Sequence, residues 1–523
     1  MEKQQSLLDT FEHVVVLMLE NRSFDNIFGY LYQNGVPDGK HFAGVVGNNL
    51  TNPDEKGNPV PVSIQTNFHE PFPDPGEEFD HITAQLFDGA PTSGAPKMQG
   101  FVKDYFCTLK ALAKWCDSAA DQSKAIMQCF TPSSIPVLSG LAQEFAVFDH
   151  WFCAVPSQTW CNRAFWHAAT SWGWVNNPPL HGDAPWDLSS WAESSAGTTL
   201  FDLLETKFGV GSWHVYEDLA VPFTKLIHWG DLKNKDGEDY FRYFEGGRPF
   251  FTNFFRDCEK GKLPKYSFIE PHFINFFEDV IWHDDMHPSS FDSTIYSDGG
   301  PGSVLLGDRI VWKVYQAIRN SNSVNGNNWQ NTLLIITFDE HGGGYDHISP
   351  STTNSPDPKQ FNQGKGQEGF DFKRLGVRVP MVMVSANIAE NTIVNSPMQH
   401  CSFLQTMQQK WGLTSLGPRQ DCAPPFTEVL TSAQRALDTW PDWEFYPGPS
   451  STLNEELMRQ VDPSDAPLND LQISILNAIR EFYADDPVMS AMAITTMPIT
   501  TARDAKEFLE QAKKLRHRQP LVL

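Results

Sequence analysis

Residues 13–21 read HVVVLMLEN, and this stretch decides the fold class. Its first seven residues, His13–Leu19, form a near-continuous apolar run, which is typical of a strand in a parallel sheet that helices cover on both faces. Glu20 and Asn21 follow the run directly. Because ligands of open α/β sheets bind beyond the carboxyl ends of the strands, this acid and this amide are candidate functional residues.

Two further runs of this kind lie far along the chain. Thr332–Phe338 reads TLLIITF and is followed by Asp339 and Glu340, and Val379–Ser385 reads VPMVMVS. Helical patterns lie between the predicted strands, at Val137–Phe145, Asn162–Thr170, Thr198–Thr206 and Leu305–Ile318. Strands that alternate with helices predict an α/β fold with helices on both sides of the sheet.

Other stretches interrupt this alternation. Residues 34–97 and 346–372 are rich in Gly, Pro, Asn and Asp, and we interpret both as extended loop regions. Loops of this length in a compact protein are usually functional covers or insertions.

The character of the chain changes again after about Pro441. Turn residues are frequent in Tyr446–Asp465, and helices are predicted over Leu468–Tyr483 and over Thr501–His517. The second helix begins with Thr501 and Asp504, which have the spacing of an N-terminal capping pair. Such helices could engage a partner, form a homo-oligomer or cover the core.

Composition excludes several classes of protein. The chain has 523 residues, of which 39 are Lys or Arg and 64 are Asp or Glu, so the formal net charge is −25. This charge argues against general nucleic-acid binding, which needs clustered basic residues. It does not exclude one anionic substrate, because a bound metal ion inverts the local field. An aromatic content of 13% is too high for a disordered chain.

The sequence also bears on location and on cysteine chemistry. It has no apolar run of the ~18 residues that a membrane span needs. Met1–Thr10 lacks the basic start and apolar core of a signal peptide. We therefore expect a protein that is cytoplasmic in the producing cell or exported without a cleaved leader as a bacterial effector, unless a leader lies outside this sequence. Eight cysteines without a CxxC pair indicate neither a disulfide scaffold nor a thiolate zinc cage.

The residues after the first two apolar runs suit a divalent cation. Glu20 and Asn21 offer hard oxygen ligands, although Asn21 or Ser23 could instead cap a short helix. Asp339 and Glu340 offer two more carboxylates. Alternatively, these two acids belong to a solvated turn.

The stretch that continues from Asp339 reads DEHGGGYDHISP. His341 or His347 could supply nitrogen to the cation. The three glycines would let the backbone approach a ligand closely.

Two other residues could act on a phosphate. Thr159, in VPSQTWCNRAFWHAATS, lies near a predicted helix N-terminus, where N–H groups favour an anion. Its hydroxyl becomes a nucleophile if a metal lowers its pKa; otherwise it is a plain N-cap. His287, in WHDDMHPSS, could be a general acid or a phosphate donor, or simply a surface residue.

Together these stretches resemble the phosphoesterase family of bacterial and plant phospholipases C and their related acid phosphatases. The likeness is nearly continuous from residue 11 to about 430. The matching segments occur in family order, and the most specific are ENRSFDNIFGYL (20–31), MQGFVKDY (98–105), the run 131–171, LPKYSFIEPHF (263–273), DMHPSS (285–290), DEHGGGYDHISP (339–350) and RLGVRVPMVMVS (374–385).

The resemblance implies an alkaline-phosphatase-like three-layer sandwich with a central, mostly parallel sheet. Residues 1–435 would form the catalytic domain, and residues 436–523 a mostly helical region of unknown role. It also implies a role for each matching residue. Metal ligands would be Glu20, Asn21, Asp339, Glu340 and the nucleophile Thr159; phosphate contacts would be Asn162 and His287; substrate-binding residues would be Arg163, His347 and Trp160.

Two departures from the family pattern are visible. The usual Gly-Pro-Thr-x-Pro-Asn-Arg is Ser157-Gln158-Thr159-Trp160-Cys161-Asn162-Arg163 here, which keeps the threonine and Asn-Arg but alters the loop. The histidine that often follows Asp-Pro-Gly is replaced by Glu77-Glu78, with His81 nearby.

By this resemblance the chain is a metal-dependent phospholipase C. It would cleave glycerophospholipids at a membrane surface, with phosphatidylcholine as the expected substrate, through a phosphothreonine intermediate. Aromatic faces bind choline, and tryptophans are plentiful near the motifs, although such rings also pack cores. The alternatives are an acid phosphatase of the same family and a binding protein or toxin component. The metal could be Zn, Ca, Mg or Mn.

Overall fold

A computed structural model describes most of the chain. The residues it does not describe are 1, 113, 115, 180–185, 247–252, 278–279, 289–295, 298–301, 450–451, 454–467, 485–498 and 517–523. Most of the predicted turn-rich segment before Leu468, and His517 at the end of the last predicted helix, therefore lie outside the described residues.

The described residues form a central sheet of eight strands. The strands are β1 (His13–Leu19), β2 (Ala146–Phe148), β3 (Trp213–Glu217), β4 (Phe241–Tyr243), β5 (Tyr266–Ile269), β6 (Thr332–Phe338), β7 (Met381–Val384) and β8 (Thr392–Val394). Their order in the sheet is β8-β2-β7-β6-β1-β5-β3-β4. β7 is antiparallel to both of its neighbours, and the remaining pairs are parallel. The predicted α/β class with a mostly parallel sheet is confirmed.

The two longest apolar runs are strands with the bounds that the sequence predicts. β1 and β6 pair in parallel over their full length, with His13 opposite Thr332 and Leu19 opposite Phe338. Their side chains are almost all buried, which stabilises the sheet by about 1.5–3 kcal/mol for each large apolar side chain. This register places Glu20 and Asp339 side by side at one edge of the sheet.

The third run, VPMVMVS, differs from the expectation. It forms the shorter strand Met381–Val384 and runs against the other strands. A continuous apolar run indicates a strand that is buried on both faces. An antiparallel strand in the middle of a covered sheet is buried in the same way. The pattern therefore predicted the strand but not its direction.

Helices surround the sheet. In the described residues the α-helices are α1 (Glu2–Leu8), α2 (Phe24–Phe28), α3 (Phe79–Phe87), α4 (Phe101–Ala111), α5 (Ala119–Gln122), α6 (Pro136–Glu144), α7 (Thr159–Ala168), α8 (Leu188–Ser194), α9 (Leu200–Phe208), α10 (Phe223–Ile227), α11 (Trp229–Leu232), α12 (Phe254–Lys260), α13 (Val304–Arg319), α14 (Pro358–Phe361), α15 (His400–Trp411), α16 (Pro418–Asp421), α17 (Asp470–Phe482) and α18 (Ala502–Arg516). The six predicted helices all exist. α7 begins three residues before its predicted start, at Thr159.

One loop prediction is wrong. Residues 34–97 contain the nine-residue helix α3 and the short strands Thr51–Pro53 and Pro59–Pro61. α3 buries Ile82, Leu86 and Phe87 but starts among acidic residues, so the turn-rich composition around it obscured its apolar side. Residues 346–372 are mostly irregular, as predicted, with the one-turn helix α14 and a short 3-10 helix at Gln367–Gly369.

α17 belongs to the main core. Its apolar residues Leu471, Ile475, Leu476 and Ile479 are fully buried in the same cluster as the sheet. These side chains are therefore covered by the chain itself and are not available to a second copy. Its N-terminus is capped by Asn469, whose side chain accepts a hydrogen bond from the Gln472 N–H at 2.8 Å.

The start of α18 confirms the predicted capping pair. The Thr501 N–H donates to Asp504 at 3.0 Å, and the Asp504 N–H donates to the Thr501 hydroxyl at 3.3 Å. Within the described ranges, none of the helices is long and apolar enough to cross a membrane.

Candidate active site

The ends of β1 and β6 bring two carboxylates together. Glu20 and Asp339 are fully buried. The side chain of Asp339 accepts hydrogen bonds from the backbone N–H groups of Asn21, at 3.2 Å, and of Glu340, at 2.7 Å. The parallel pairing of two adjacent strands thus produces the juxtaposition that the sequence predicts.

Thr159 reaches this pair from the first turn of α7. Its hydroxyl donates to Glu20 Oε2 at 3.0 Å. The N-cap of α7 is Gln158, so the alternative role of Thr159 as a plain N-cap is excluded. Thr159 instead occupies the first helical position, where unpaired N–H groups and the helix dipole favour an anion.

Arg163 lies one turn further along α7 and faces the same carboxylates. Its Nε donates to Glu20 Oε1 at 2.8 Å and lies 3.7 Å from Asp339 Oδ2. Its Nη2 donates to the Met18 carbonyl at 3.0 Å. Arg163 is therefore paired with protein groups and holds Glu20, and the substrate contact that the resemblance implies stays a prediction.

Asn21 connects this half of the site to Glu77 and His287. Its amide Nδ2 donates to Glu77 Oε2 and lies 2.9 Å from His287 Nε2. Asn21 has a left-handed backbone with φ 52°, which is costly and which Asn tolerates better than most residues. Gly342 packs against its carbonyl so closely that a Cβ would clash. The local backbone is thus built to present the Asn21 side chain.

Several oxygens of the site are buried without a hydrogen-bond partner in the described part of the chain. They are Asn21 Oδ1, Asp74 Oδ1, Glu77 Oε1, Asp339 Oδ2 and Glu340 Oε1. Burial also raises the pKa of Glu20, Glu77 and Glu340 well above the usual carboxyl value. Burying such groups unpaired is costly, whereas hard oxygen ligands suit a divalent cation. The donor set therefore fits a metal ion.

His287 is fully buried, so the alternative of a surface residue is excluded. Its Nδ1 lies 2.7 Å from the Pro288 carbonyl, which fits a proton on Nδ1 and a lone pair on Nε2. Burial lowers the pKa of His287 to about 4. The ring is therefore neutral at neutral pH, which disfavours the general-acid role and leaves Nε2 free to accept a hydrogen bond from Asn21.

Asn162 differs from its implied role as a phosphate contact. Its Oδ1 accepts from the Val155 N–H at 3.0 Å, and its Nδ2 donates to the Ser157 and Gln158 carbonyls at 2.7 and 3.2 Å. All of these bonds go to the backbone that leads into Thr159. Asn162 therefore shapes the loop before the nucleophile.

The structure does not bring Trp160 into the cluster. The indole of Trp160 is fully buried, donates to Ser474 at 3.1 Å and packs edge-on against Trp191 and Phe223. Its ring thus packs the core, the alternative that the sequence left open, and offers no face to a headgroup.

His347 also lies in a different group. Its Nδ1 is 2.6 Å from Asp25 Oδ2, beside the guanidinium of Arg378. The hydrogen bonds of its ring in the described residues go to this group and not to Thr159 or Glu20. His341 is buried, with Nε2 2.9 Å from Gln85 Oε1.

Sequence reasoning missed Asp74, Glu77 and Asn469. Asp74, Glu77 and His287 lie close enough together to hold a metal ion. The sequence signal for Glu77 was its position directly after Asp-Pro-Gly, where the family often has a histidine. Asn469 Nδ2 lies 3.3 Å from His287 Nδ1, which brings the start of α17 to the site. Nothing local in the sequence around Asn469 indicated this contact.

Comparisons with known proteins find relatives of this chain. A family model described as "Phosphoesterase family" matches residues 11–414. Non-specific phospholipase C6 of Arabidopsis thaliana is 32% identical, covering 80% of this chain and 72% of the relative. Non-specific phospholipase C3 of the same plant is 30% identical, covering 90% and 82%. Non-hemolytic phospholipase C of Burkholderia pseudomallei is 23% identical, covering 76% and 55%.

Among solved structures, the chain aligns with a protein in the alkaline phosphatase superfamily from Vibrio parahaemolyticus. The two are 13% identical, the alignment covers 55% of this chain and 63% of that chain, and the TM-score is 0.31. A score this low supports no structural argument, so the α/β assignment rests on the eight-stranded sheet.

Proposed function

The chain belongs to the phosphoesterase family, and on that premise we propose that it is a metal-dependent phospholipase C with Thr159 as its nucleophile. One observation carries the proposal. The Thr159 hydroxyl donates to Glu20 at 3.0 Å inside a buried group of carboxylates, and in the described part of the chain Asp339 Oδ2 and Glu340 Oε1 of that group have no hydrogen-bond partner. A nucleophile, its proton acceptor and a set of cation ligands are thereby adjacent.

A divalent cation bound at these oxygens would lower the pKa of the Thr159 hydroxyl and neutralise charge on the phosphoryl group. Thr159 Oγ1 attacks phosphorus while its proton passes to Glu20 Oε2. The bond from phosphorus to the diacylglycerol oxygen breaks, and that oxygen takes a proton from water. The hydroxide left by this proton transfer attacks the phosphothreonine and releases the phosphorylated headgroup, and the Thr159 oxygen takes back its proton from Glu20.

Other residues of the chain hold this arrangement in place. Arg163 fixes Glu20 through a hydrogen bond at 2.8 Å, and Asn162 fixes the loop that leads into Thr159. His287 orients the Asn21 amide. Preorganised groups of this kind cost no rearrangement at the moment of reaction.

Replacing the nucleophile tests the proposal. We expect Thr159→Ala to lower kcat on phospholipid by on the order of 10⁴-fold or more, because the covalent step is lost. Thr159→Ser, which keeps the hydroxyl, is the matched control and retains measurable turnover. Circular dichroism confirms that both variants fold. Full activity of Thr159→Ala would remove Thr159 from the mechanism.

Phosphatidylcholine is the first substrate to test. Comparing p-nitrophenylphosphorylcholine with p-nitrophenyl phosphate separates a phosphodiesterase from the phosphomonoesterase alternative. A panel of headgroups in which choline lipids are cleaved no faster than the others would contradict the choline preference.

A further inference from the structure

The described residues enclose a cleft of about 870 Å³. It is bounded by the start of α3, the loop 92–96 and the segments 349–352 and 368–374. Phe79 lines one wall, and its N–H donates to Asn176 Oδ1 at 2.9 Å. The same oxygen accepts from the Ser157 hydroxyl at 3.1 Å, so this wall is tied to the loop that leads into Thr159.

Arg374 lines the cleft and is held rigidly. Its guanidinium carbon lies 4.7 Å from the ring centre of Phe87 and 5.5 Å from that of Phe370. Its backbone is bridged to Thr352, and the flanking Leu375 N–H donates to Ser351 at 3.0 Å. Stacking between two rings and pairing of the backbone fix the direction in which the guanidinium points.

One donor of the half-buried Arg374 has no partner among the described residues. Its Nε is buried and has no hydrogen-bond partner in the ranges that the structure describes. The fully buried Arg378 and Arg419 instead donate to two carboxylates and to three carbonyls, although in the same ranges one unpaired nitrogen also occurs in Arg22 and in Arg319. Burial lowers the pKa of Arg374 to about 10, and the charge of Asp371 acts in the opposite direction.

The anionic neighbour of Arg374 in the cleft is Asp371, whose charge favours the protonated guanidinium but is shared with a lysine. Lys373 and Asp371 form an ion pair with 3.7 Å between Nζ and Oδ2. Glu368 is exposed at the cleft margin. Apolar surface from Phe79 and Phe370 adjoins the guanidinium. A ligand that fits therefore carries one oxyanion and an apolar body.

We propose that this cleft binds the phosphate group of an anionic amphiphile through Arg374. A planar guanidinium matches two phosphate oxygens at once, and the apolar part of the ligand would lie against Phe79 and Phe370. The phosphate can belong to a phosphomonoester lipid headgroup in a membrane or to free inorganic phosphate. The site is separate from the Thr159 chemistry and would hold the enzyme on an anionic lipid surface.

Flotation of the full-length protein with vesicles tests this site. The vesicles contain phosphatidylcholine alone or phosphatidylcholine with phosphatidic acid, and lipid composition is checked after each run. We expect phosphatidic acid to strengthen binding of the unaltered protein and Arg374→Met to weaken that binding by about tenfold or more. Lys233→Met, which removes an exposed charge away from the cleft, is the matched control and binds as the unaltered protein does.

Calorimetric titration with inorganic phosphate distinguishes the source of the anion. Loss of phosphate binding in Arg374→Met shows that the soluble ion suffices, and loss confined to phosphatidic acid vesicles shows that the lipid headgroup is required. Equal behaviour of Arg374→Met and the unaltered protein in both assays would overturn the proposal. If Arg374→Met does not fold, Arg374→Gln takes its place.

Hydrolysis of soluble p-nitrophenylphosphorylcholine separates this proposal from the catalytic one. Arg374→Met is expected to keep that activity, whereas a failure of the Thr159 mechanism would leave the vesicle result unaffected.

Discussion

Two buried acidic clusters come from the same two segments of the chain and differ in how their charge is balanced. In the first, Glu20 lies beside Asp339 and Glu340, each of which leaves one carboxylate oxygen without a hydrogen-bond partner among the described residues. In the second, Asp25 and Asp346 each accept from Arg378, at 3.0 and 2.9 Å. His347 completes the second cluster with 2.6 Å between its Nδ1 and Asp25.

The difference separates a structural ion cluster from a candidate metal site. Buried carboxylates must be compensated, and the second cluster carries its own cation. The first has Arg163, which reaches only part of the carboxylate group. On the proposed function a bound cation would compensate the first cluster, whereas the second carries Arg378, although Asp25, Asp346 and His347 also lie close enough together to hold a metal ion.

The largest expected effect lies in the second cluster. Arg378→Met leaves Asp25 and Asp346 buried without a cation and is expected to lower the free energy of unfolding by about 3–5 kcal/mol. Urea denaturation measures it, with Lys233→Met as the surface control. A loss no larger than that of the control would show that Arg378 does not compensate these acids.

The first cluster should respond to pH in the opposite direction to ordinary carboxylates. Burial raises the folded-state pKa of Glu20, Glu77 and Glu340, so the folded protein binds protons that the unfolded chain has released. Stability of the metal-free protein is therefore expected to fall as pH rises above the unfolded-chain carboxyl pKa of about 4.3, by up to about 1.4 kcal/mol per pH unit for each such group.

Denaturation of chelator-treated protein across this range measures the slope. Glu340→Gln removes one group and should reduce the slope, and excess divalent cation should abolish it. Stability that rises with pH in the metal-free protein would contradict the assignment of unpaired acids to this cluster.

The smallest expected effect concerns the cover of the first cluster. Asn469 caps α17 and lies 3.3 Å from His287, whereas the second cluster has no such contact with α17 among the described residues. Asn469→Ala is expected to lower stability by about 1 kcal/mol through loss of the cap. Asn469→Ser keeps the cap and loses the contact, so a fall in kcat/KM in both variants identifies the contact with His287 as the cause.

Much of the fold and part of the site follow from local sequence. β1 and β6 were predicted to the residue because each is a seven-residue, mostly apolar run bounded by polar or acidic residues. Glu20 and Asp339 followed from the rule that sites lie at strand ends. The direction of β7 could not be predicted, since burial does not encode orientation.

The remaining parts of the site depend on distant contacts. Arg378 lies 353 residues from Asp25, and no periodicity links the two. Glu77 lies in a turn-rich segment that returns to the strand ends, and a loop of this kind carries no pattern that predicts its path. For the same reason the sequence does not distinguish the second cluster, whose charge Arg378 balances, from the first, which has unpaired carboxylate oxygens.

Metal analysis of the purified full-length protein tests the central claim most directly. After incubation with divalent cations and removal of excess, we expect about one firmly bound ion per chain in the unaltered protein and in His347→Gln. Asp339→Asn, folded by circular dichroism, should bind none. Metal retained by Asp339→Asn, or lost from His347→Gln to the same extent, would contradict the assignment of the metal site to the first cluster.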